Sequence, residues 1–126
     1  MLKLSFEGAF ILISYECGHG LLLFRSNPYH ARPDTRVDIL FQDVIAMETR
    51  VFSDGLTIEE VGPELLESTR CKPADLIEGG RKTYSLSGRD TNGETWSGFV
   101  LAAKVTHCED DLPYGSRSQL LGPELD

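Results

Sequence analysis

Two short groupings of cysteine and histidine are the residues of this chain best suited to metal chemistry. Cys17 and His19 are separated by one glycine, and His107 is followed directly by Cys108. Zinc accepts thiolate and imidazole ligands, so four ligands would meet if the two groupings lay side by side in the fold. The spacing matches no zinc finger or ribbon, and an exposed turn histidine with a small buried thiol at a strand end is the better explanation. We therefore predict no metal site and no cofactor.

Nucleophilic catalysis has little support in the sequence. No Gly-x-Ser-x-Gly motif is present, and Ser97-Gly98 falls inside a predicted strand. Cys17 lies two residues from His19, but the two share a face only if a strand continues through the neighbouring glycines. Neither glycine pair is followed directly by the Lys-Ser/Thr that completes a phosphate-binding loop. We predict no catalytic residues, and an enzyme that uses His19, His107 or the aspartates is our third hypothesis.

Carboxylates are abundant and lead to our first hypothesis. The chain has 20 acidic and 12 basic residues, which gives a formal charge of −8. Such a field repels nucleic acids and anionic membranes and attracts basic proteins. Asp38, Glu48 and Glu59 lie on a long predicted ribbon, where they could form an acidic face. Trp96 and Tyr29 lie near a turn and a loop, where aromatic side chains can anchor a partner. We predict that these five residues bind another protein.

The cysteine count bears on the compartment. Cys17, Cys71 and Cys108 make an odd number in a chain that is large enough to fold without disulfides. Free thiols in a reducing, cytoplasmic compartment are the simpler interpretation, and one disulfide with one free thiol fits the same count. No run of about 18 apolar residues occurs, so no membrane span is predicted.

A hairpin is predicted near the start of the chain. Residues 2–7 alternate between apolar and polar side chains, which is typical of a half-buried strand. With Gly18 and His19 at the tip, Ile13 would lie opposite Phe24 and Tyr15 opposite Leu22. Both strands are apolar on both faces, which indicates a central position in the sheet.

The longest predicted ribbon spans residues 35–61. Asp54-Gly55 suits a type I′ turn, and this turn would set Val51 opposite Ile58. The same register would set Arg50 opposite Glu59. Asp43 is the one charge in an otherwise mostly apolar stripe, so we predict that it lies at a bulge or bend, or is a paired buried carboxylate.

A further hairpin is predicted around Asn92-Gly93. This tip would place Leu86 opposite Phe99, and Arg89 opposite Trp96. The guanidinium of Arg89 would then lie over an exposed indole ring as a cation–π pair.

Taken together, these patterns predict a mainly β fold. About seven strands, with one or two short helical turns at 62–67 and 73–78, indicate a single-domain antiparallel β-sandwich or a partly open barrel. We expect residues 1–108 to form the domain and residues 109–126 to form an acidic, mobile tail. The sequence favours a non-catalytic protein–protein interaction domain, and an immunity-type inhibitor of a basic bacterial toxin is one specific form of it. The alternative is a small-ligand-binding β barrel or sandwich, and homodimerisation through a sheet edge is a further expectation.

Overall fold

The computed structural model describes residues 2–26, 35–62, 64 and 80–121. The predicted helical turns at 62–67 and 73–78 fall on residues of which only 62 and 64 are described. The described residues form eight strands and a 3-10 turn at Gln119–Leu121. The strands are β1 (Lys3–Glu16), β2 (Leu21–Ser26), β3 (Arg36–Gln42), β4 (Ala46–Glu48), β5 (Phe52–Val61), β6 (Lys82–Arg89), β7 (Thr95–Ala102) and β8 (Lys104–Asp110).

These strands form one antiparallel sheet in the order β4-β7-β6-β5-β1-β2-β3-β8, which is not closed into a barrel. β4 and β8 are the edge strands, yet β4 follows β3 and β8 follows β7 after short bends. The sheet must therefore curl until its two edges approach each other. Main-chain hydrogen bonds at the bends hold this arrangement, from Ala103 N to Gln42 O at 2.9 Å and from Ile45 N to Leu101 O at 3.0 Å. The prediction of a mainly β, antiparallel fold is confirmed, with one curled sheet instead of two packed sheets.

The inner face of the curl carries the core. Alternate residues of each strand point to this face, as the period of two in a strand requires. Aromatic rings meet there edge to face, with Phe41 at 6.3 Å from Phe24 and 5.7 Å from Tyr84 between ring centroids. Burial of this apolar surface is the main driving force for the fold. Buried members of the core include Phe10, Leu22, Phe24, Ile39, Phe41, Leu56, Ile58, Tyr84, Leu86 and Val100.

The first hairpin forms where the sequence predicts it. A turn at 17–20 joins β1 to β2, and Tyr15 pairs with Leu22 as expected. The partner of Phe24 is Leu12 instead of Ile13, because the register shifts between Leu12 and Ser14. Ile13 is the extra residue of this bulge, and its side chain is 38% exposed.

The predicted turn at Asp54-Gly55 is wrong. Both residues lie inside β5, which pairs with β1 on one side and with β6 on the other. Gly55 does adopt a positive φ of 72°, but this conformation serves a bulge where the register with β6 shifts between Asp54 and Thr57. The chain reverses earlier, before Phe52, where Leu12 N donates to Val51 O at 2.7 Å. The predicted pairs Val51–Ile58 and Arg50–Glu59 therefore do not form.

Asp43 lies at a bend, which confirms one of its predicted alternatives. Its φ is 59°, a left-handed conformation that aspartate tolerates better than most residues. The side chain is 54% exposed and forms an ion pair with Arg81 at 3.0 Å, so it is not a buried carboxylate. The bend turns the chain from β3 towards β4 at the opposite edge of the sheet.

The β6–β7 hairpin forms one residue out of the predicted register. Leu86 pairs with Gly98, and Arg89 pairs with Thr95. The cause is the turn, where the Asp90 carboxylate accepts hydrogen bonds from Asn92 N at 2.8 Å and from Glu94 N at 3.0 Å. This longer loop starts at Asp90, so every pair shifts by one residue. Trp96 therefore lies opposite Gly88 and faces the core, instead of lying exposed opposite Arg89.

Candidate functional site

The structure separates the five predicted partner-binding residues. Glu48 and Glu59 are exposed, whereas Asp38 is fully buried and Trp96 is only 5% exposed. Asp38 and Trp96 are therefore buried and not on the surface as we expected, and the binding of a partner by the predicted residues stays a prediction. Tyr29 lies outside the described residues, so its role stays a prediction.

Asp38 is buried because it pairs with an arginine of the neighbouring strand. Arg25 on β2 donates to both carboxylate oxygens, from Nε to Oδ1 at 2.6 Å and from Nη2 to Oδ2 at 3.0 Å. Register places the two residues opposite each other on the same face. The remaining Nη1 of Arg25 donates to Tyr114 O at 2.6 Å, and the guanidinium lies 5.7 Å from the Tyr114 ring centroid.

A second buried pair lies beside the first. Arg36 on β3 donates to both oxygens of Asp110 on β8, with both distances 2.9 Å. The same guanidinium also reaches three main-chain carbonyls of the following segment, at Pro113, Ser116 and Arg117. Its Nη2 lies 3.9 Å from Asp38 Oδ2, so the two ion pairs form one cluster.

This cluster ties the end of the chain to the sheet. β8 extends to Asp110, and the two arginines bind carbonyls between 113 and 117 on the outer face of β2, β3 and β8. Residues 109–119 thus contact the sheet. The predicted division of the chain into residues 1–108 and 109–126 stays a prediction. Every charge in the cluster has an opposite charge and hydrogen bonds, so the arrangement is suited to fixing structure and not to moving protons.

Cys108 lies beside this cluster, opposite Asp38 on the neighbouring strand. Burial raises the pKa of the Cys108 thiol, and the carboxylates of Asp38 and Asp110 raise it further. A protonated thiol is a weak nucleophile and a weak metal ligand. Within the described residues, no three or more His, Cys, Asp and Glu side chains are grouped to hold a metal ion. His19 instead bonds Glu16 Oε1 through Nδ1 at 2.9 Å.

We predict an acid-dependent loss of stability through Asp110. The hydrogen bonds from Arg36, helped by Gln119 and the Leu112 amide, hold the pKa of Asp110 below its usual range. A lowered folded-state pKa stabilises the chain above the unfolded-state value of about 4, and the contribution disappears as the pH falls through the folded-state pKa. Asp110→Asn should therefore reduce the free energy of unfolding by about 1–3 kcal/mol at pH 7.

Urea unfolding at pH 7 and at pH 3 tests this prediction. The difference between the wild type and Asp110→Asn should be larger at pH 7 than at pH 3. Asp111→Asn is the matched control, because the neighbouring carboxylate is exposed and should leave both unfolding midpoints unchanged. Equal differences at the two pH values would contradict the assignment.

Trp96 closes the core beneath the β5 bulge. Its Nε1 donates to Ser53 Oγ at 2.8 Å, and Ser53 Oγ in turn bonds the carbonyl of Gly55. Gly88, the cross-strand partner of Trp96, has no room for a side chain, because a Cβ there would overlap Ser53 Oγ and Gly55 O. The apolar stripe that Trp96 forms with Val100 and Ala102 is the sequence signal that indicates this buried position.

Glu48 and Glu59 belong to one cross-strand row. Glu48 pairs with Phe99, Phe99 with Ser85, and Ser85 with Glu59. The two carboxylates are therefore on the same outer face, three strands and about 14 Å apart. Phe99 between them is buried. Asp38 lies on a different row of the sheet, so the predicted residues do not form a continuous acidic face.

A shallow groove of about 260 Å³ lies at the bulge between β5 and β6. Asp54 and Arg89 line it together with three hydroxyl side chains and the bare backbone of Gly55 and Gly88. Phe6 is its one aromatic residue. The small-ligand hypothesis requires a cavity of roughly 300 Å³ or more that is lined by aromatic residues. This groove is not a cavity of that kind. The hydroxyl side chains are Thr57, Ser87 and Thr95.

Asp54 is the site residue that the sequence did not reveal, because Asp-Gly is typical of a turn. Its carboxylate is exposed and has no ion pair or hydrogen bond among the described residues.

No helix in the described ranges is both long and apolar enough to cross a membrane. Comparison of the chain with protein-family models, with curated proteins and with solved structures finds no match.

Proposed function

We propose that this chain is a non-catalytic interaction domain that binds a basic protein. The observation that supports the proposal most is the division of the charges. In the described part of the chain, the buried charged residues Arg25, Arg36 and Asp38 are all ion-paired. Three exposed carboxylates on the outer face, in contrast, have no such partner among the described residues. These are Glu48, Asp54 and Glu59.

Charge makes a basic partner the best fit. The formal charge of −8 attracts a basic protein at long range, and the free carboxylates can then form direct ion pairs with it. Desolvating a carboxylate that lacks an internal partner disrupts nothing in the fold. An immunity-type inhibitor that neutralises a basic toxin is the specific form of this function that we favour.

Affinity capture tests the proposal. The immobilised chain should retain a basic protein at low ionic strength and release it as salt is raised, since surface charges more than about 10 Å apart are screened at 0.1 M salt. A triple variant with Glu48, Asp54 and Glu59 replaced by serine is the matched column. Capture of no basic protein at low salt, or equal capture by the triple variant, would contradict the proposal. For the inhibitor form, the partner's activity should fall in proportion to the amount of chain added.

A further inference from the structure

One carboxylate at the groove of the β5 bulge lacks the ion pair that its cross-strand neighbour would be expected to supply. Asp54 and Arg89 are direct cross-strand partners and line the groove together. Opposite charges at such positions usually attract each other across the strands. Here Arg89 Nη1 donates instead to Gly93 O at 3.1 Å, within the β6–β7 turn. Asp54 therefore lines the groove with no cation paired to its carboxylate among the described residues.

The rest of the lining is suited to a flat, hydrogen-bonding group. Gly55 contributes only backbone, and a Cβ there would meet nothing closer than Phe6 O at 3.7 Å, so a planar group can lie close to the strand at this position. The hydroxyls of Thr57, Ser87 and Thr95 add acceptors around the rim. A guanidinium group is planar and presents five N–H donors, two of which match the oxygens of a carboxylate.

We propose that this groove receives an arginine side chain of the basic partner, with Asp54 as its counter-ion. The inference rests on the proposed function and names the contact that carries it. Asp54 accepts two N–H bonds from the guanidinium, and the threonine and serine hydroxyls accept from the remaining donors. Arg89 is a competing positive charge beside the groove, so its removal strengthens the binding.

An NMR titration of the full ¹⁵N-labelled chain with N-acetyl-arginine amide tests the site. The amide signals of Gly55 and Gly88 should shift, and they should not shift with N-acetyl-citrulline amide, which has nearly the same shape without the charge. N-acetyl-lysine amide should bind more weakly than the arginine probe, because it cannot make the paired bonds. Absence of shifts at both glycines up to the solubility limit of the arginine probe, or equal shifts with citrulline, would overturn the proposal.

Variants decide whether Asp54 is the counter-ion. Asp54→Ser should weaken the arginine probe by roughly fivefold to tenfold, and Arg89→Gln should strengthen it. Asp111→Ser is the matched control, since it removes an exposed carboxylate that does not line the groove and should change binding less than about twofold. Unchanged binding by Asp54→Ser would overturn the site. If the groove fails while salt-dependent capture persists, the arginine site is overturned and the proposed function stands. If the probe binds but no basic protein is captured, the site stands and the proposed function is overturned.

Discussion

Asp38→Ala should lower the free energy of unfolding by about 3–5 kcal/mol, because it leaves the buried Arg25 without its carboxylate. Arg25 is 4% exposed and gives two of its donors to Asp38, so it cannot turn to water without opening the sheet. The loss should also loosen residues 113–117, since Arg25 holds Tyr114 O and Arg36 lies 3.9 Å from the same carboxylate. Urea unfolding monitored by circular dichroism measures the change in free energy.

Two comparisons separate this effect from a general loss of a charge. Asp43→Ala removes a carboxylate that is 54% exposed and paired with Arg81, and it should cost less than about 1 kcal/mol. Adding Arg25→Leu to Asp38→Ala should restore part of the lost stability, because it removes the unpaired buried charge. Equal effects of Asp38→Ala and Asp43→Ala would show that the buried pair does not hold the tail and the sheet together.

Trp96→Ala should cost about 3–5 kcal/mol through the cavity that it leaves in the core. The indole is 5% exposed and lies beside the β5 bulge, where it bonds Ser53. Since Trp96 is the one tryptophan of the chain, unfolding of this variant is followed by circular dichroism. The loss of a surface aromatic would instead change stability by less than about 0.5 kcal/mol.

Ser53→Ala divides the contribution of the indole between packing and hydrogen bonding. This change leaves the buried indole N–H without its acceptor and should cost about 1–3 kcal/mol. If Trp96→Ala lowered the free energy of unfolding by less than Ser53→Ala does, the importance of indole packing would be contradicted.

Local sequence rules predict the class of the fold because they depend on neighbouring residues. Alternation and turn residues locate the turn of the β1–β2 hairpin at 17–20 and that of the β6–β7 hairpin at 90–93. They fail on the exact register, since the Asp90 carboxylate sets a longer loop than Asn-Gly alone implies. They also fail at Gly55, because a positive φ is compatible with a turn and with a bulge alike. Pairing of β5 with strands on both sides decides between the two.

The buried cluster of ion pairs and the groove at Asp54 are harder to predict, since their residues come from distant parts of the chain. Arg36 and Asp110 are 74 residues apart, and only the β3–β8 pairing brings them together. A sequence signal does exist for Asp38, because a charge beside the apolar stretch Ile39–Phe41 must be paired if it is buried. Nothing local indicates that Arg89 binds Gly93 and so leaves Asp54 open.

We propose that buried charges hold the fold, while the exposed carboxylates Glu48, Asp54 and Glu59 of the outer face bind a basic partner. The most direct measurement is the affinity of the captured partner for the wild type and for the triple serine variant of Glu48, Asp54 and Glu59, at low and at moderate salt. We expect the variant to keep the wild-type free energy of unfolding within about 0.5 kcal/mol and to lose most of the low-salt affinity. Retention of full, salt-dependent affinity by a folded triple variant would contradict the account.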